Sequence, residues 1–136
     1  MTNWVSGMQL TADRLNDNSV TETTTTGLAA STGFAVNSFS GRRVNGITTV
    51  MAQVDRTGAL ITETAAGNGN ITDTAMCTFP SGWRPPETVN TIWSNGFNDG
   101  ECTITSTGVV TVRTTSGSVG MATGTTVRIS TTWITG

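Results

Sequence analysis

The sequence predicts an all-β protein: an antiparallel β-sandwich or jelly-roll-like domain carrying a short N-terminal anchoring arm. Three observations predict it. Thr and Gly are abundant, helix formers such as Glu, Gln and Leu are sparse, and Lys is absent, a balance that suits a pleated sheet better than a helix. From residue 33 onward, short runs alternate apolar and polar positions, the period of a half-buried strand. Gly- and Asn-bearing turn signals separate these runs at regular spacing, giving about eight strands, as in sandwiches and barrels. With 136 residues the chain forms one domain that can bury a core without staples. The plan is an arm over residues 1–18, a Thr-rich linker over 19–32 and a head domain over 33–136.

Taken in order, the arm places Trp4, Val5, Met8, Leu10 and Leu15 in a segment too short to be a stable helix alone, although Thr11 can cap one turn. It needs a partner surface. The Thr-rich stretch that follows extends readily and buries little, so it reads as a linker or an edge strand. Residues 34–39 open the strand pattern, Gly41-Arg42-Arg43 punctuates it, and residues 47–54 place Val50, Ala52 and Val54 on one face, so that these two runs pair. Arg56-Thr57-Gly58 turns into a strand over 59–64, and residues 67–70 turn into another over 71–79, with Ile71, Ala75, Cys77 and Phe79 sharing a face.

All three prolines lie in the next stretch, Phe79-Pro80-Ser81-Gly82-Trp83-Arg84-Pro85-Pro86. Proline fixes φ and removes a backbone donor, so no ladder runs through this point and the chain leaves one sheet here. Trp83 beside Arg84 reads first as a packed corner and second as a ligand site. Strands over 88–93, 100–105 and 109–114 follow, with turns at Asn95-Gly96 and Thr107-Gly108 and with Cys102 and Ile104 in phase. A glycine-bearing loop over 116–124 leads to the last strand, 126–134, with Val127, Ile129, Thr131 and Trp133 on one side.

Composition narrows function. A net charge of −2 with seven Arg provides no basic stripe, so nucleic acid is not an expected partner. No apolar run is long enough to span a bilayer, and the first residues lack the charged and apolar regions of a signal peptide, so no membrane partner is expected. Cys77 and Cys102 do not make a disulfide framework, and their alternating runs favour reduced core thiols. Without His or Cys-x-x-Cys spacing, no metal site and no cofactor are expected.

The chemistry available is thin. With neither His nor Lys, acid–base catalysis would rest on carboxylates. Asp99 and Glu101 are the candidate pair, but one turn carries both and a solvated loop is the simpler reading; the same turn, with Asn98, departs from EF-hand spacing. Asp73 falls inside a strand, to pair with an Arg or face solvent, and Arg42-Arg43 reads as a solvated corner. No catalytic residue is assigned, and the protein is not expected to be an enzyme. For ligand contact the candidates are Trp83, Arg84, Trp93 and Phe97, with Phe97 the most exposed by pattern and Trp133 in the core.

The run over 71–79, the loop Phe79-Pro80-Ser81-Gly82-Trp83-Arg84-Pro85, the acidic turn and the strand into Val109-Val110-Thr111-Val112 resemble the C-terminal head domain of phage tail-fibre and minor tail proteins. There the loop tends to read Leu-Pro-x-Gly-Tyr-Arg-Pro; here Phe79 and Trp83 stand for Leu and Tyr. Trp4-x-x-Gly7 and the run over 11–16 are similar to the N-termini of small proteins from phages of actinobacteria. The resemblance implies a homotrimer in the virion, assembled in the host cytoplasm, with β domains outward and the arm on a capsid or tail protein. No coiled-coil or β-helical shaft separates arm and domain, which favours a capsid decoration protein or short head fibre. The alternatives are a minor tail or tail-fibre protein that binds a host surface glycan, and a free carbohydrate-binding module.

Overall fold

A computed structural model of the chain describes residues 21–116 and 120–135. The arm residues Trp4, Val5, Met8, Leu10 and Leu15 lie outside the described residues. The fold is all-β, as the composition predicts: a curled, sandwich-like antiparallel sheet, with no helix among the described residues. Its strands are β1 (Thr21–Thr24), β2 (Ala29–Ala30), β3 (Phe34–Val44), β4 (Ile47–Arg56), β5 (Asn70–Thr78), β6 (Val89–Ser94), β7 (Asp99–Ile104), β8 (Val109–Thr114) and β9 (Thr126–Ile134). They lie in the order β1-β3-β4-β9-β6-β7-β8-β5-β2.

Alternation builds the core. Val50, Ala52 and Val54 of β4 face inward opposite Thr131, Ile129 and Val127 of β9, and Cys102 and Ile104 of β7 face Val112 and Val110 of β8. The β3–β4 hairpin closes on Asn45 (φ 50°) and Gly46 (φ 79°), both in the left-handed region that a two-residue hairpin requires. Inside the sheet, the indole N–H of Trp93 donates to the Thr114 carbonyl at 3.0 Å, so that the largest core side chain also satisfies its polar atom.

Several expectations change. The Gly41-Arg42-Arg43 stretch does not interrupt the strand: β3 runs through it to Val44, because a glycine inside a strand here admits a close neighbour rather than a break. Residues 59–64 form no strand, only isolated bridges from Ile61 to Met121 and Glu63 to Ile71. The Glu63 carboxylate accepts from Gly67 and Gly69 N–H instead, tying the segment into a local turn. In β5 a bulge between Ala75 and Cys77 buries Met76 and Cys77 together and turns Ala75 outward. The stretch over 19–32 is no free linker from Thr21 on, since β1 and β2 are the two edge strands of the sheet.

Nor does the proline loop separate two sheets. Strands β5 to β8 lie in the spatial order β6-β7-β8-β5, a Greek key, and the loop is its long crossover. Apart from the connection over 25–28, the antiparallel connections sort the loops to two ends. One end holds Thr21, the Asn45-Gly46 turn, the proline loop, the 105–108 turn and Thr135; the other holds the 31–33 turn and the loops over 57–69, 95–98 and 115–125.

Cys77 and Cys102 are free and buried, flanking β8 opposite Val110 and Val112. Burial pushes both thiols up to about 12, with a smaller push from Cys102 on Cys77 and from Glu101 on Cys102. A raised thiol pKa means that the fold holds the proton more tightly than the unfolded chain. This contribution is complete below the unfolded value of about 9 and is lost as pH rises to about 12. The thermal midpoint is therefore expected to fall between about pH 9 and pH 12, and to fall less steeply in Cys77→Ala/Cys102→Ala. At neutral pH a thiol reagent should label the native chain no faster than it unfolds.

Candidate functional site

The proline loop is a fastened corner. Phe79 opens it with its ring 5.8 Å from Phe39 and 6.2 Å from Trp133, centroid to centroid, and its N–H donates to Gly108 O at 2.9 Å. Arg84 Nε donates to the Phe79 carbonyl at 2.9 Å, and the Arg84 stem lies over Gly108, where a Cβ would come within 2.8 Å of its Cγ. Trp83 lies half-buried on β3 at Gly41, where a Cβ would stand 2.5 Å from Trp83 Cε3. Gly41 is therefore present for the close approach of the indole, not for a turn.

Arg43 fastens the corner. Its guanidinium stacks over the Trp83 ring at 5.2 Å, donates through Nη2 to Gly82 O, through Nε to the buried Thr48 hydroxyl at 3.0 Å, and through Nη1 to Glu22 of β1 at 3.0 Å. Four groups from three segments meet on one planar guanidinium. The reading of Arg42-Arg43 as a solvated corner is thus half right: Arg42 is exposed, while Arg43 holds β1, β4 and the proline loop together.

Phe97 belongs to the opposite end. It is 85% exposed at the tip of the β6–β7 turn, where Asn95 Oδ1 accepts from the N–H groups of Phe97 (2.9 Å) and Asn98 (2.6 Å). Asn98 is buried beneath it. Its amide nitrogen donates to Thr115 Oγ1 (2.5 Å) and Gly120 O (3.0 Å), and its oxygen accepts from Ser116 Oγ at 2.7 Å. The side chain thereby pins the turn to both described ends of the β8–β9 loop, and the aromatic ring stands on a rigid mount. The Asn95-Gly96-Phe97-Asn98 pattern signals the turn, but nothing in it marks Asn98 as the buried pin.

The candidate contact residues therefore do not form one site. Trp83 and Arg84 are at the proline-loop end, Phe97 at the other, and Trp93 is wholly buried in between, which removes it from ligand contact. The Trp93 side chain points inward because its register partner Ile129 is a core residue. Asp99 and Glu101 share the outward face of β7, opposite Ser94 and Ile92, and no group of three or more His, Cys, Asp or Glu side chains converges among the described residues. Asp73 does find an Arg, at 3.4 Å from Arg113 Nε, in an exposed pair that contributes little. No protein-family model matches the chain, and no curated protein matches it in sequence.

The corner makes a quantitative prediction. Gly41→Ala is expected to destabilise the fold by about 2 kcal/mol through overpacking against Trp83. In a double-mutant cycle with Trp83→Ala, chemical denaturation should show the combined loss to be smaller than the sum, because removing the indole removes the clash.

Proposed function

We propose that this chain is a structural protein of a bacteriophage particle, displayed on its surface as a homotrimer and held by its N-terminal arm. A capsid decoration protein or short head fibre is the preferred role. The observation that carries the reading is the polarity of the domain. The arm joins at Thr21, at the end that also holds the fastened proline corner, while Phe97 and the longest loops stand at the far end. A domain attached at the first end presents the second outward. Burial of Trp4, Val5, Met8, Leu10 and Leu15 against the shell then stabilises the assembled lattice by mass action.

The rigid mount of Phe97 favours one second reading, a minor tail or tail-fibre protein whose far loops stack on a host surface glycan, with avidity from repeated copies. The same mount suits a free carbohydrate-binding module.

Cryo-electron microscopy of particles carrying the full chain, or a version lacking residues 1–18, separates these. Density at three-fold or quasi-three-fold capsid positions that vanishes with the arm is the expected result. Density only at the tail would overturn the capsid role, and Phe97→Ala should then weaken adsorption to host cells without changing incorporation. Absence from the particle would overturn the virion reading and leave the binding module, for which Phe97→Ala abolishes sugar affinity.

A further inference from the structure

The outward face of the sheet carries an apolar row at the attachment end. Val44 of β3, Ile47 of β4 and Ile134 of β9 are register partners across three adjacent strands, and Ile47 and Ile134 are 52% and 74% exposed. Beside them is a shallow depression of about 390 Å³ lined by Arg42, Val44, Asn45, Ile47 and Thr49. The next row inward is polar: the Thr49 and Thr132 hydroxyls bond to each other at 2.9 Å. The apolar row is thus bounded, and not part of a uniformly greasy face.

From these positions we infer that residues 1–18 of the same chain dock on the Val44–Ile47–Ile134 row in the free protein. Thr21 is the register partner of Val44, so the chain outside the described residues ends beside the row. Leu15 lies six residues before Thr21, a span of about 20 Å at most, against about 10 Å across the three strands. Between them stands Asn16-Asp17-Asn18-Ser19, a run of turn-forming residues suited to reversing the chain over the sheet. Upstream, Trp4, Val5, Met8, Leu10 and Leu15 supply five apolar side chains within twelve residues. The tether decides between the chain's own arm and a second copy. A segment joined through so short a spacer is presented at a millimolar effective concentration, well above that of another molecule at micromolar protein. Docked there, the arm keeps its apolar side chains out of water until a competing surface takes them. The inference concerns the isolated chain and holds whatever particle the arm meets.

The test is methyl NMR of the full-length chain labelled at isoleucine, with a soluble nitroxide as broadening agent. Wild type is compared with Met8→Ser/Leu10→Ser/Leu15→Ser at two protein concentrations, with sedimentation at each. The Ile47 and Ile134 methyls are expected to be shielded in wild type and to broaden severalfold more in the variant. Exposed Ile92 and buried Ile104 should behave alike in both, which also reports that the variant is folded. Acrylamide quenching of Trp4, taken as the difference from Trp4→Phe, is expected to rise in Ile47→Thr/Ile134→Thr. The inference is overturned if the Ile47 and Ile134 methyls broaden equally in wild type and variant. It is also overturned if their shielding rises with concentration alongside a larger sedimenting species, which would make a second copy the occupant.

Discussion

The fold depends on where Phe79 is held. Its ring touches Phe39 on β3 and Trp133 on β9, while its backbone N–H donates to the Gly108 carbonyl and its carbonyl accepts from Arg84 Nε. One residue therefore ties the crossover of the Greek key to strands from the far side of the curled sheet. Prolines at 80, 85 and 86 keep the following residues out of any ladder, so the crossover cannot slip into the sheet and must cap it. Trp83 then lands on Gly41, and Arg43 closes over it. A charged side chain so engaged gives the corner specificity, because the register that brings Arg43 to Gly82, Thr48 and Glu22 is also the one that puts Gly41 beneath Trp83.

Antiparallel pairing converts that corner into a direction. Every hairpin returns the chain to the end it left, so the described termini and the proline loop collect at one end and Phe97 at the other. The far loops are held without a large core of their own. Asn98 fastens the Phe97 turn to residues on both sides of the β8–β9 loop. Arg56, buried over Phe34 at 4.7 Å, bonds the carbonyls of Gly33 and Ala59 and joins the neighbouring turns. Each uses a single multidonor side chain to satisfy backbone groups that two loops would otherwise leave unpaired.

How much of this was legible follows from range. β8 and β9 read correctly to the residue because strict alternation and flanking glycines are local signals. The Asn45-Gly46 turn was equally local, yet Gly41 drew the break four residues early, since a glycine that admits Trp83 and a glycine that turns the chain look alike in sequence. The edge role of β1 and β2 was visible only as an alternative to a linker, because polar Thr runs carry no inward face to register. Trp83, Trp93 and Phe97 all sit in or beside turns, and their fates diverge through partners far along the chain: Gly41, Ile129 and none. Strand order decides which, and strand order is the property that a Greek key hides best.

The same order fixes how the domain bears load between the arm and the far loops. β1 begins at the proline-loop end and runs towards the other, with Thr21 to Thr24 paired to Val44 to Gly41. A pull on the arm against a domain held at its far end acts along the strand, so these pairs are loaded together instead of opening one after another. Glu22, the second residue of the strand, is also fastened sideways through Arg43 to the proline corner. A strand of four residues would be a weak anchor if peeled. Loaded in shear and tied through Glu22 and Arg43 to the cap of the core, it is braced along β3 and sideways at the proline corner, a property on which the proposed arm-held role would draw.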